Sequence, residues 1–469
     1  MYFSGRTAYF VIILSVIPVY LAAQDYINER LTYPALKLDL PLFDLPYQIE
    51  AMNTVGYGFF SSYANPSMGQ SLAVTADMFS GFHYGMKYFY ENSNIKDMWR
   101  NIIYYCGIPL GDLLLFYLPG GDGWLHEEFH RAVMSRYGVN SFNGMNLFPI
   151  GASIVSVSKI KDEDLIRLKE KSPPDFVRLP AAGIEGEYLL INKLQRNNFF
   201  YNQGLFHEVL YWMVTLNSHL YIGASLDSNQ VDVETEKMNK IEETISSRDF
   251  TGFDMTAWVY DLFRQDEPYE ARGIHPSGEG INRYRTTKDL SGDEKNYLQT
   301  QINLHFLNYL SPMLFFQKSV RLGDEGLSGN FAMRHLLTSF GSVISAQFFL
   351  KYENLKGEAF NFAFAYHSYL NYKNYFPAIE VELVDYPLYL GKFGMFLSPR
   401  VIIGTQPEDQ KFKTGRHEFL GLFGLRADFI ISRYFLPYFD FTVKTDGWVA
   451  GNEYLDNNVS IKMGISARF

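Results

Sequence analysis

The last third of the chain alternates between apolar and polar residues. In the terminal stretch VSIKMGISARF, Val459, Ile461, Met463, Ile465, Ala467 and Phe469 take every second position, with Ser460, Lys462, Gly464, Ser466 and Arg468 between them. A period of two gives an extended strand one greasy face and one wet face. The pattern recurs in FNFAFAY (Phe360, Phe362, Phe364, Tyr366), in IEVEL (Ile379, Val381, Leu383) and in FDFTVKT (Phe439, Phe441, Val443). Turn chemistry separates the runs at Lys356-Gly357, Tyr386-Pro387, the QPEDQ of Gln406 to Gln410, and Asp446-Gly447. About eight such segments fit between Gly341 and Phe469, each long enough for a tilted membrane strand of about 9 to 11 residues. They predict an antiparallel transmembrane β-barrel over residues 331–469, with a soluble β-sandwich as the competing architecture. Closure into a barrel removes the edges that aromatic strands would otherwise expose.

Upstream, the period lengthens to that of a helix. SGDEKNYLQTQINLHFLNYLSP opens with the capping box Ser291 and Glu294, sets Leu298, Ile302, Phe306 and Leu310 at helical spacing, and stops at Pro312. TGFDMTAWVYDLF and GLFHEVLYWMVTL also look helical, and polar connectors at 231–249 and 264–285 separate them. IIYYCGIPLGDLLLFYL, from Ile102 to Leu118, is apolar but interrupted by Gly107, Pro109, Gly111 and Asp112, which predicts a buried core helix in preference to a membrane span. The first residues carry one cation at Arg6, an apolar run from Ala8 to Tyr20, and the small pair Ala22 and Ala23. That is the layout of a cleaved secretory signal peptide, residues 1–23. A retained anchor needs about 20 apolar residues, and this run is shorter and broken by Pro18. The expected fold is therefore α+β and multidomain: a mainly helical module over 24–330, then the barrel.

Composition sharpens the picture. Aromatics make up 17% of the 469 residues, yet the mean hydropathy is only -0.12. Alternating barrel strands produce that combination, because apolar side chains are plentiful without forming long runs. A net charge of -10 with no basic face argues against nucleic acid as a partner. Cys106 is the only cysteine, so neither an intrachain disulfide nor a cysteine zinc cage is possible. The terminal Phe469 falls in phase with the apolar face of its strand. This resembles the closing strand of bacterial outer-membrane β-barrels. The resemblance implies an outer-membrane location, reached by the signal peptide, with lipid and the barrel-assembly machinery as partners.

The candidate chemistry lies in GDGWLHEEFHRAVMSRYG. Asp122 is a candidate N-cap and Gly138 a candidate C′ residue, and Leu125, Phe129 and Val133 form a core-facing stripe. His126 and His130, four apart, project together, close enough for both rings to reach one ion. Glu127 sits about 100° around the helix from His126, beside such an ion without sharing a ligand position. His-Glu-x-x-His is the zincin motif: two neutral imidazoles hold Zn²⁺, and the adjacent carboxylate is the general base for a zinc-activated water. The competing reading is a solvated helix face with incidental histidines.

A third ligand is sought in LPAAGIEGEYLLINKL, where Glu185-Gly186 is followed by Glu187. The segment resembles the second metal helix of gluzincin peptidases, several of which carry a Glu-Gly signature with that Glu as third ligand. The resemblance covers only Gly121 to Leu194. It implies a zinc metallopeptidase with His126, His130 and Glu185 as metal ligands and a peptide or protein substrate. Glu187 is a rival ligand, because Gly183 and Gly186 clear space on its face. The aspartate often found four residues after the third ligand is replaced by Leu189, so another group must orient a zinc histidine, and Asp112 and Asp122 are both near in sequence. SIVSVSKI (153–160) predicts a short connecting strand, with a substrate-binding edge strand as the alternative. His367 is expected inside the barrel, His207 and His305 in the core, and His275 in a loop that could swing toward a site. Two functions follow: a membrane-anchored zinc metallopeptidase, or a non-catalytic barrel, pore or assembly factor, with a helical accessory module.

Overall fold

Antiparallel pairing organises the second half of the molecule. The computed structural model describes residues 33–55, 64–146, 156–201, 203–242, 244–323, 326–353, 359–390, 393–432 and 434–469. The expected signal peptide lies outside them. After a first strand, β1 (Lys37–Leu45), come ten α-helices among the described residues: α1 (Tyr47–Val55), α2 (Met68–Asn92), α3 (Asp97–Phe116), α4 (Asp122–Arg136), α5 (Asp162–Lys171), α6 (Pro173–Phe200), α7 (Glu208–Ala224), α8 (Ser228–Ile241), α9 (Asp254–Phe263) and α10 (Gly292–His305). Two short strands, β2 (Phe142–Asn143) and β3 (Val157–Ser158), pair with each other between α4 and α5. The large sheet is then built from β4 (Val320–Arg321), β5 (Leu327–Thr338), β6 (Gly341–Glu353), β7 (Ala359–Asn371), β8 (Asn374–Val384), β9 (Tyr386–Leu390), β10 (Phe393–Pro407), β11 (His417–Phe429), β12 (Phe435–Lys444) and β13 (Asn458–Arg468).

The sheet has eleven strands in the order β1-β13-β12-β11-β10-β8-β7-β6-β5-β4, with β9 also on β10. Asp385, at φ 50°, separates β8 from β9, and both pair with β10. The expectation of about eight strands closed into a barrel over 331–469 is corrected in three ways. The sheet starts before residue 331; it recruits β1 from the N-terminal part, with Lys37 opposite Arg468; and among the described residues no strand pairing closes it. Helices bridge the two edges instead. α2 packs on β1, α3 on α2, α7 on α3, and the turns at Phe306–Tyr309 and Pro312–Phe315 lie between α7 and β5.

The alternation read from the sequence is realised with its apolar face outward. Phe331, Phe348, Phe362, Ile403, Phe419, Phe439, Val459 and Ile465 are exposed, whereas Arg334, Asn361, His367, Lys444, Ser466 and Arg468 are buried. A water-soluble sheet has the opposite polarity. The C-terminal half of α6 fills the concave side: Phe199 and Phe200 pack with Ala332, Phe349, Ala363 and Val384, and Arg196 pairs with Glu382 at 2.7 Å. One apolar cluster runs through both parts, from Tyr47 and Phe129 in the helices to Leu336, Tyr369 and Leu455 in the sheet region. The core helix expected at Ile102 to Leu118 is instead half-exposed α3, with Ile102, Ile103, Leu110, Leu113 and Leu114 facing outward. No described helix is long and apolar enough to cross a membrane.

Candidate metal centre

Helix α4 is buried around almost its whole circumference, which excludes the solvated-face reading of the motif. It begins at Asp122 with Gly121 as its N-cap, one residue earlier than expected, and ends at Tyr137 with Gly138 at φ 68° as the left-handed C′ residue. Leu125, Phe129 and Val133 are fully buried and belong to the common core. α6 crosses α4 closely because two glycines face it. A Cβ at Gly183 would overlap the His126 imidazole, and one at Gly186 would come within 2.9 Å of the Phe129 ring.

His126 and His130 converge with a carboxylate, and that carboxylate is Asp254. One ligand atom from each of the three lies within 4.8 Å of the other two. Asp254 Oδ2 is 3.2 Å from His126 Nε2 and 3.4 Å from His130 Nε2. The Nδ1 atoms are held from behind. His126 Nδ1 lies 2.7 Å from Glu187 Oε1, and His130 Nδ1 lies 2.6 Å from the Leu179 carbonyl. An acceptor behind each ring makes Nδ1 the N–H donor and turns both Nε2 atoms toward Asp254. Ser218 donates to the other oxygen of Glu187, and the Tyr221 hydroxyl donates to Asp254 Oδ2 at 2.9 Å.

Asp254 opens α9, where helix N-terminal N–H groups favour a carboxylate. The preceding turn sets its position. Asp249 accepts the N–H groups of Thr251 at 3.3 Å, Gly252 at 2.9 Å and Val157 at 2.9 Å, and Gly252 takes φ 79°. The sequence offered no signal for Asp254: it lies 128 positions from His126, at the start of a helix recognisable only by its apolar spacing.

The two glutamates of the motif have different fates. Glu128 is neutralised by both bonds of Arg131 at 2.7 Å and by Asn143 at 2.8 Å. Glu127 instead lines a cavity of about 380 Å³ together with His126, Glu187 and Asp254. Burial, offset in part by His126 and reinforced by Asp254, Glu128 and Glu187, pushes its carboxyl up to about 8. His126 moves the other way from what burial dictates: its bonds to Asp254 and Glu187 hold the imidazolium well above the usual histidine range. Asp254 is held below the usual carboxylate range despite its burial, because His130 and His126 face it.

Glu185, the expected third ligand, faces away from the histidines. It accepts Arg178 Nη2 at 2.8 Å, Arg178 Nε at 3.2 Å and the Gly451 N–H at 2.7 Å. Two positions on, Glu187 falls on the α4 side of the helix and orients His126. That is the role the sequence left open between Asp112 and Asp122. Asp112 pairs with His83 at 2.6 Å, and Asp122 lines the cavity. The segment expected to be a strand at 153–160 is described only from residue 156. Its β3 is covered on the edge away from β2, because the Phe250 N–H donates to the Val157 carbonyl at 3.0 Å, which favours the connecting-strand reading. His275 is tied to the Ser277 N–H at 3.1 Å and is not at the cavity. His367 lies on the concave side of the sheet, 2.7 Å from Ser345 Oγ and 3.0 Å from Glu380. His207 and His305 are buried as expected. No protein-family model matches the chain, and neither does any curated protein or solved structure.

Proposed function

We propose that the protein is a membrane-embedded zinc metallopeptidase, with His126, His130 and Asp254 holding the metal and Glu127 as general base. The observation that carries this reading is the convergence of two Nε2 atoms and one carboxylate beside a cavity that Glu127 also lines. The donor set fits a divalent ion. His130 Nε2 is buried 3.4 Å from Asp254 Oδ2 and makes no hydrogen bond, both rings are fixed through Nδ1, and two imidazoles with one carboxylate are a donor set that would hold zinc. When bound, such an ion supplies Lewis-acid polarisation of a carbonyl and acidifies water.

The residues of the chain do the rest. Glu187 and the Leu179 carbonyl orient the imidazoles, Ser218 orients Glu187, and Tyr221 steadies Asp254. Glu127 takes the proton of the attacking water and delivers it to the leaving amine. A dication among the three ligands would draw its pKa back down, which lets the carboxylate act as a base near neutral pH. The outward aromatic face of the sheet supports a membrane setting, with Phe469 directly after β13 as the feature for assembly in a bacterial outer membrane. The test is a pair of variants. His126→Ala should lose both metal and peptide hydrolysis, whereas Glu127→Gln should keep the metal and lose about 10² to 10⁴ in rate. Hydrolysis that persists in Glu127→Gln would move the assignment to a structural metal site in a non-catalytic membrane protein.

A further inference from the structure

The geometry points to a substrate class: cationic, amphipathic peptide segments held at a lipid surface. For cleavage this rests on the metallopeptidase reading; for binding it does not. The cavity beside the metal ligands is lined by the carboxyl groups of Asp122, Glu127, Glu187, Glu234, Asp249 and Asp254, and no lysine or arginine stands among its described lining residues, Lys237 pairing with Glu234 from outside them. A phosphate or carboxylate group entering the cavity finds no lysine or arginine in the lining to receive it, whereas a cation finds carboxyl oxygens that accept its hydrogens. Asp122 adds an independent pointer. It is completely buried, it lines the cavity, and both of its oxygens lack a hydrogen-bond partner. A buried carboxyl group with neither oxygen hydrogen-bonded is costly, and a substrate ammonium or guanidinium group supplies the missing donor.

The mouth has a different character. Tyr117, the residue that ends α3, lines the cavity and is 48% exposed, and the last turn of α3 before it carries the exposed Leu113 and Leu114. On α7, Asn217 and Tyr221 line the cavity while their neighbours Leu216 and Leu220 are exposed. α3 packs on α7, so one apolar rim flanks an acidic interior. An amphipathic segment matches both when its apolar face lies on the rim and its cations reach inward.

The test uses the full chain, zinc-loaded, in phosphatidylcholine vesicles, with three peptides of one length: an amphipathic Lys peptide, the same peptide with Glu in place of Lys, and the Lys peptide with its apolar pattern scrambled. Cleavage is read with the wild type and affinity with Glu127→Gln. The amphipathic Lys peptide should bind and be cut at least about tenfold better than the Glu peptide, in line with one buried charged hydrogen bond. Asp122→Asn should shrink that preference, and Glu234→Gln, at the exposed mouth, gives the same readout if Asp122→Asn does not fold. Leu114→Glu with Leu220→Glu should erase the advantage over the scrambled peptide. Equal binding of Lys and Glu peptides overturns the inference, as does Glu127-dependent release of fatty acid from the vesicles, which would make a lipid the substrate. Wild type that cuts both peptides alike leaves the peptidase standing without this specificity. Selective binding by Glu127→Gln with no cleavage by the wild type leaves the specificity standing without the peptidase.

Discussion

Buried charge is handled in opposite ways in the two halves of this molecule. Behind the sheet, cations and carboxylates meet in pairs: Arg400 with Glu380 at 2.7 Å, Arg426 with Asp39 at 2.7 Å, Arg468 with Asp385 at 2.7 Å, and Lys462 with Asp44 at 3.2 Å. Around α4, six carboxylates and one histidine line a cavity without a lysine or arginine among the described residues. Paired charges repay much of each other's desolvation and leave nothing to bind, so the sheet interior reads as structure. Carboxyl groups buried together with histidine as their nearest countercharge are pushed up, as Glu127 is, chiefly by burial and further by Asp254, Glu128 and Glu187 against the opposing His126, and a cation from outside relieves the crowding. The difference separates a wall from a site, although both are dense in ionisable groups.

The largest effect that sharpens this contrast is loss of the metal. Asp254→Ala removes the one carboxylate shared by His126 Nε2 and His130 Nε2, and the purified variant should fall from about one equivalent of zinc to none, since two imidazoles alone make a weak site. Glu380→Gln, which breaks a paired charge behind the sheet, should leave the zinc content unchanged by the same mass-spectrometric assay. Zinc retained in Asp254→Ala, or lost in Glu380→Gln, would dissolve the distinction between the two regions.

Next in size is the outward face of the sheet. Ile465 is exposed on β13, and Ile465→Lys places a charge where lipid is expected, at a cost of up to about 2 to 4 kcal/mol at mid-membrane. Heat-modifiable migration on gels and recovery in the membrane fraction should both fall, and removal of Phe469 should impair assembly in the same assay. Unchanged insertion of both variants would mean that the aromatic face meets something other than lipid.

The sheet was legible because its signal is local. Val459, Ile461 and Ile465 alternate whether or not their partners are known, and a period of two fixes which face each side chain takes. What lies between the sheet's edges was not legible, because among the described residues α2, α3 and α7 run between them, and their packing is a property of the whole fold. The apolar run in α3 predicted burial, yet composition alone cannot say whether an apolar side chain meets a core or an outer surface. In the site, the spacing of His126 and His130 holds within one helix and was readable. Asp254 comes from another helix, and no spacing rule reaches it. The Glu185 assignment failed through helical phase: two residues are about 200° of α-helix, so Glu187 meets His126 while Glu185 meets Arg178.

That phase difference gives a smaller, sharper test. Glu187→Gln keeps an acceptor for His126 Nδ1 but removes the charge behind it, and zinc affinity should fall about 10- to 100-fold. Glu185→Gln should leave zinc affinity unchanged and lower thermal stability, because it strips the charge from a buried pair with Arg178. Competition with a chromophoric chelator and a thermal melt separate the two. The reverse pattern would restore Glu185 as a ligand and undo the geometry described above.

The smallest effect concerns protons. In the metal-free site, burial alone would lower His126, but its bonds to Asp254 and Glu187 and the charge of Glu127 outweigh it, so the ring stays protonated above the usual histidine range. Glu127 is pushed up to about 8, chiefly by burial, and is also protonated at pH 7. Asp254 is held low and brings no proton to displace. A metal ion needs a neutral His126 and favours an ionised Glu127, so binding must expel protons from both. Zinc affinity should therefore rise with pH, by about tenfold per unit for each proton released, and level off once both groups are deprotonated in the free protein. Calorimetry in buffers of different ionisation enthalpy should count about two protons released per zinc at pH 7. In Glu127→Gln the count should drop by about one while the His126 proton is still expelled. Zinc binding independent of pH between 6 and 8, with no proton released, would show that the carboxylates around α4 are as well compensated as those behind the sheet, and the contrast between the two regions would fail.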